Sequence, residues 1–173
     1  MPIHPIEYRY GTPEMRAVFD LETRFQRMLD VEAALAKALG KLGLIPQKDA
    51  RKIVECANTK RVKIDRIQEF ERKVHHETMA LVLALAEAAG KSGRYVHFGA
   101  TSNDILDTAT ALQIRDAIRI VERKLKQILK VLLQLAKKHK RTVMVGRTHG
   151  QHALPITFGL KISVWICEIG RHL

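Results

Sequence analysis

Residues 102–140 read SNDILDTATALQIRDAIRIVERKLKQILKVLLQLAKKHK, a run with neither glycine nor proline. As an α-helix it would extend ~58 Å at about 1.5 Å per residue. Within it Ile114, Ile118, Val121, Leu125, Ile128, Leu132 and Leu135 alternate spacings of four and three, a heptad seam, while Arg119, Arg123, Lys124, Lys126 and Lys130 lie off it. A rod with one apolar edge must be covered by other long helices. The run therefore predicts an all-α chain whose second part, 101–173, begins a long-helix bundle, and whose first part, 1–100, is a domain of shorter helices.

The flanking sequence supports that division. Thr12-Pro13-Glu14 has the order of an N-cap, a first-turn proline and an early acid, and predicts a short helix to about Phe19, with residues 1–11 as an extended arm. From Leu21 the residues Phe25, Met28, Leu29, Leu35, Ala36, Leu39 and Leu42 recur at helical spacing until Gly43 and Pro46 stop the pattern. Further helices are predicted over 47–57 and 65–73. The stretch from His76 to Ala89 is apolar nearly all round, as in a helix enclosed by protein, and ends at Gly90-Lys91-Ser92-Gly93. After the long run, Arg141 to Gly159 carries Gly146, Gly150, Pro155 and Gly159 and is read as an ordered loop, with a last apolar helix starting near Pro155. No strand alternation, internal repeat or low-complexity tract is visible.

Composition narrows the function classes. The 173 residues are 46% hydrophobic and 28% charged, enough for a real core and no miniature scaffold. Thirty Lys and Arg against eighteen Asp and Glu leave a net charge of +12, which favours anionic partners. The two cysteines, Cys56 and Cys167, are far apart and lack zinc-ligand spacing, pointing to a reduced compartment. The N-terminus lacks the apolar core of an export signal, and the most apolar run, Met79 to Ala86, is about half of what spans a bilayer. The expectation is a cytoplasmic protein with no membrane partner. There is no P-loop and no GxGxxG, and His75-His76-Glu77 are adjacent, so they cannot share a helix face as metal ligands do. Neither metal nor cofactor is expected.

Three histidines stand beside helix starts or glycines: His76, His97 in His97-Phe98-Gly99-Ala100-Thr101-Ser102-Asn103-Asp104, and His149 in Gly146-Arg147-Thr148-His149-Gly150-Gln151-His152. Thr101-Ser102-Asn103-Asp104 puts hydroxyls and free N–H groups at a helix N-terminus, an anion site, though an ordinary Ser cap explains the polar residues alone. In Gly-Arg-Thr-His-Gly the backbone can approach a ligand, and an imidazole can protonate a leaving group near neutral pH. Arg9 could pair bidentately with phosphate, or be a surface arginine beside a packing Tyr10. Lys137-Lys138-His139-Lys140-Arg141 reads as a solvated helix end.

Val96 to Thr108 and Gly146 to Gly159, VHFGATSNDILDT and GRTHGQHALPITFG, resemble the adenylosuccinate lyase family of the fumarase/aspartase superfamily. Arg9-Tyr10-Gly11-Thr12-Pro13-Glu14-Met15 extends the resemblance to nearly the whole chain. It implies a homotetramer of long helices that eliminates fumarate from adenylosuccinate and from the succinyl-carboxamide imidazole ribotide, anionic nucleotide substrates suited to a basic protein. By motif, His149 would be the general acid for the departing nitrogen, with Thr148 beside it binding the substrate. Thr101 and Ser102 would hold a succinyl carboxylate, Arg9 and Tyr10 the nucleotide end, and His97 would lie near the phosphate. His76 would orient the substrate and is the chain's only fallback as a base. His75 and Glu77, which flank it where the family has Arg and Asp, would also bind the substrate. The family's serine-rich loop with its serine base would follow beyond Leu173, so the expectation is the N-terminal part of a longer enzyme. Other readings are a different superfamily lyase such as argininosuccinate lyase, a helical oligomerisation module, and a nucleic-acid-binding module. Against the last, the basic residues are dispersed and aromatics are 5% of the chain.

Overall fold

The computed structural model describes residues 9–173. The arm expected over residues 1–11 lies outside them for residues 1–8. Beyond that it is corrected: Arg9 is helical and Tyr10 lies in a turn, with the Arg9 guanidinium over the Tyr10 ring, 5.5 Å from its centre. The chain forms two compact units, Met1–Ala117 and Ile118–Leu173.

The first unit holds α1 (Pro13–Phe19), α2 (Leu21–Lys41), α3 (Gln47–Cys56), α4 (Ile64–Val74), α5 (Glu77–Ala89), a 3-10 turn over Gly90–Tyr95 and the first part of α6 (Ser102–Lys138). Local chemistry sets the helix starts. The Thr12 hydroxyl accepts from the Met15 N–H at 3.4 Å with Pro13 following, and Asp20 Oδ1 accepts from the Thr23 N–H at 2.7 Å. Phe25, Met28 and Leu29 of α2, Ile53 of α3, Ile67 of α4, Leu81 and Leu85 of α5 and Ile105 of α6 form one core, each at most 2% exposed. At about 1.5–3 kcal/mol per large side chain, burial of this set is the main force holding the unit. Helix α5 is enclosed as its composition predicts, with Met79 its one large apolar residue left 44% exposed. Gln113 Nε2 donates to the Val18 carbonyl at 2.7 Å and Arg27 pairs with Asp116 at 2.7 Å, tying this part of α6 to α1 and α2.

The second unit holds the rest of α6, β1 (Val143–Thr148), β2 (Gln151–Thr157) and α7 (Phe158–His172). Two expectations fail here. Residues 143–157 form an antiparallel hairpin where a loop was expected, pairing Val143 with Thr157, Met144 with Ile156, Val145 with Pro155, Arg147 with His152 and Thr148 with Gln151. Between the Val145–Pro155 and Arg147–His152 pairs β1 advances two residues and β2 three, so an extra residue in β2, at Ala153-Leu154 opposite Gly146, shifts the register. Exposure does not alternate along either strand, so no period-2 signal exists to be read. Pro155 lies within β2, and α7 starts only after Thr157, whose hydroxyl accepts from the Leu160 N–H at 3.2 Å. Along α6 the seam residues Ile114, Ile118, Val121 and Ile128 are 46–59% exposed in this chain, while Leu125, Leu132 and Leu135 are half-buried. Among the described residues no helix is long and apolar enough to cross a membrane.

The hairpin is anchored at its base. The Phe158 N–H donates to the Thr142 carbonyl at 2.8 Å and the Gly159 N–H to the His139 carbonyl at 3.0 Å, with the His139 ring edge-on to Phe158 at 5.2 Å. A Cβ on Gly159 would lie 2.7 Å from Lys140 Cα and 2.9 Å from the Ala136 carbonyl oxygen, so only glycine allows this approach. Gly159→Ala is expected to cost about 1–3 kcal/mol by overpacking. Urea unfolding measures it, and a midpoint equal to that of the unsubstituted chain would refute the fit.

Candidate active site

Three non-glycine residues, among those described, have a left-handed backbone, and all are histidines of the motif segments: His75 at φ 50°, His97 at 62° and His149 at 50°. Such a conformation is costly for most side chains and is met more often by Asn, Asp and His. Each histidine occupies a junction. His75 ends α4, its N–H donating to the Glu71 carbonyl at 2.8 Å. His97 precedes α6, and His149 shares a two-residue hairpin turn with Gly150, whose φ is 72°. Positive φ at both turn positions is the geometry that matches the strand twist.

In the first unit the His75–His76 junction faces the head of α6. His76 caps α5: its Nδ1 accepts from the Met79 N–H at 3.2 Å. With that nitrogen an acceptor, the neutral ring carries its proton on Nε2. This Nε2 lies 3.5 Å from Ser102 Oγ in the first turn of α6. Beside it the Asp104 carboxylate accepts from the Thr101 N–H at 2.9 Å, answering one of the main-chain donors at the helix start. The Thr101 side chain is exposed, and the positive end of the α6 dipole lies here too. His76, Thr101 and Ser102 are thus brought together, and can offer hydroxyls and N–H groups to a carboxylate. Glu77 turns away to pair with Arg24 at 2.6 Å and fastens α5 to α2. His75 is exposed beside Gln68, Glu71 and Arg72.

His97 has a partner that sequence reasoning missed. Glu32, in the middle of α2, is 1% exposed, with Oε1 2.6 Å from His97 Nδ1 and Oε2 accepting from the His97 main-chain N–H at 3.2 Å. Burial pushes the Glu32 carboxyl above the usual range, and its hydrogen bonds to His97 pull it part of the way back. A signal was present: Phe25, Met28, Leu29, Glu32 and Ala36 form one buried stripe, so a lone carboxylate interrupts an apolar face.

In the second unit the hairpin tip carries His149 on its exposed turn, with Thr148 and Gln151 paired beneath it. A Cβ on Gly146 would lie 2.7 Å from the Leu154 carbonyl oxygen, so the residue that faces the bulge of β2 must be glycine. Arg9 and Tyr10 are exposed, Tyr10 at 70%. Among the described residues no three His, Cys, Asp or Glu side chains gather as metal ligands.

The sequence matches the family described as Lyase over residues 7–173. It is 56% identical over 173 residues to the adenylosuccinate lyase of Pyrococcus abyssi, covering all of this chain and 38% of that protein. It is 46% identical over 164 residues to the N-acetyl-S-(2-succino)cysteine lyase of Dickeya dadantii, covering 95% of this chain and 36% of the other. The crystal structure of fumarate lyase from Mesorhizobium sp. BNC1 superposes with a TM-score of 0.88 at 40% identity, over 94% of this chain and 38% of that one. The chain spans 38% of the length of the curated relative it matches at 56% identity.

His76→Ala and His76→Asn separate its capping from its chemistry, since asparagine is a strong N-cap and alanine is not. The alanine variant is expected to lose about 1 kcal/mol of stability and the asparagine variant only a small fraction of that. Equal losses in thermal or urea unfolding would show that the ring does not cap α5.

Proposed function

Because the chain belongs to the lyase family, we propose that it is a segment of an enzyme of purine nucleotide biosynthesis that eliminates fumarate from adenylosuccinate, giving AMP, and from the succinyl-carboxamide imidazole ribotide. The observation that carries this reading is 56% identity to an adenylosuccinate lyase over the whole of this chain. The junction at the head of α6 supports it. β-Elimination next to a carboxylate needs donors for the developing negative charge, a base for the carbon-bound proton and an acid for the leaving nitrogen.

In this reading Thr101, Ser102 and the Nε2–H of His76 bind a succinyl carboxylate. His76 then orients the substrate and does not serve as the base, because one ring nitrogen is engaged as a cap and the other carries a proton. His149, flanked by Thr148, protonates the departing nitrogen. Arg9 and Tyr10 take the nucleotide end, His97 lies near its phosphate, and His75 and Glu77 hold the turn that presents His76. The same reading divides the chain into a helical domain over 1–100 and, from 101 to 173, the first part of a central bundle. It makes the enzyme a cytoplasmic homotetramer, in which the exposed α6 seam is covered by long helices. The net charge of +12 suits anionic small-molecule substrates.

The 46% identity to an N-acetyl-S-(2-succino)cysteine lyase favours one rival, a lyase releasing sulfur instead of nitrogen. Fumarate release from adenylosuccinate, N-acetyl-S-(2-succino)cysteine, argininosuccinate and malate decides between them, measured on this chain and on a protein continued to the relatives' length. The expected result is release from adenylosuccinate by the longer protein, reduced about 10²–10⁴-fold by His149→Asn, a residue that tolerates the left-handed turn. Silence towards adenylosuccinate in both proteins would overturn the reading.

A further inference from the structure

Glu32 takes no part in the chemistry above, yet a carboxylate 1% exposed in an apolar core is costly unless it is paired. Its two oxygens meet a single residue. Oε1 contacts His97 Nδ1 at 2.6 Å and Oε2 receives the His97 main-chain N–H at 3.2 Å, so one carboxylate holds both the ring and the backbone. The left-handed backbone of His97, at φ 62°, accompanies this double grip. A buried acid and a strained histidine do nothing for apolar packing, and their combination fixes one thing, the direction of the ring.

The remaining edge of that ring is open. The His97 side chain is 18% exposed, and its Nε2 has no partner among the described residues. Two proton arrangements leave the pair without net charge: carboxylate with imidazolium, and carboxylic acid with neutral imidazole. Both put a proton on Nε2. The third, carboxylate with a neutral ring protonated at Nδ1, buries a net negative charge, which the apolar surroundings disfavour. We infer that Glu32 is a positioning residue that grips His97 by its main chain and Nδ1 edge, so that a fixed Nε2–H is presented to the phosphate of the substrate. The identity of the anion rests on the lyase reading, and the grip itself does not.

The test is a double-mutant cycle of Glu32→Gln and His97→Asn in the protein continued to the relatives' length, joined to ¹⁵N spectra of the ring in this chain. Glu32→Gln is expected to raise KM for adenylosuccinate about tenfold, and less than about twofold once His97 is Asn, because the carboxylate acts through the ring. Glu32→Asp, which keeps the charge, is expected to recover part of the loss and carries the comparison if the Gln variant does not fold. Equal effects of Glu32→Gln in both backgrounds would overturn the proposal. In the 173-residue chain the His97 ring is expected to carry a proton on Nε2 and to shift on titration with inorganic phosphate, the shift being lost in Glu32→Gln. A bare Nε2, or a phosphate shift that survives the substitution, would also overturn it. If no fumarate is released while the spectra behave as expected, the lyase reading fails and the grip on His97 stands.

Discussion

A long helix begins with main-chain N–H groups that none of its own carbonyls can reach. In α6, which runs for 37 residues, that constraint shapes the first unit's chemistry. Asp104 satisfies the Thr101 N–H, and the hydroxyl of Ser102 lies 3.5 Å from a histidine that is itself the cap of another helix. Two helix starts, α5 and α6, thus meet at one place, with the His76 imidazole between them, capping the first and lying against Ser102 of the second. Anchoring is equally local: the Gln113 and Arg27 contacts hold this part of α6 against α1 and α2, so the head of the helix is fixed by packing.

The helices were legible because their determinants are short-range. Thr12 with Pro13, Asp20 and the apolar spacing from Phe25 to Ala36 each act within a turn or two, and the structure places α1 and α2 accordingly. The hairpin was not legible for a physical reason. Its strands are exposed towards the tip and half-buried on both faces at the base, and a bulge breaks their parity, so burial leaves no alternation in the residues. The one available cue was His149-Gly150, a two-residue turn with a histidine where asparagine is commoner. Proline misled as well: Pro155 suggested the first turn of a helix, but it sits in a two-stranded sheet, where proline is tolerated at an edge.

Within the candidate site, His76, Thr101 and Ser102 could be named from motif and cap chemistry, whereas Glu32 could not. A glutamate in an amphipathic helix is normally solvated, and its partner His97 lies 65 residues further on. What separates it from an ordinary surface glutamate is its position on the stripe of Phe25, Leu29 and Ala36, a long-range fact in short-range form. The three left-handed histidines carry the same lesson. Their backbone strain is invisible in composition, yet it decides which way each ring can point.

The bulge opposite Gly146 makes the parity of β2 a matter of residue count. Pro155 and Thr157 share one face of β2, and the extra residue at Ala153-Leu154 resets which face His152 and Gln151 take as they lead out of the His149 turn. Exchanging a side chain in β2 leaves that count alone, whereas adding or removing one residue between His152 and Pro155 would turn His152 and Gln151, next to the His149 turn, over to the other face. Descendants of this sequence are therefore free to drift in the identity of the hairpin's exposed residues but held to its length, and alignments of its lineage should show substitutions there without gaps.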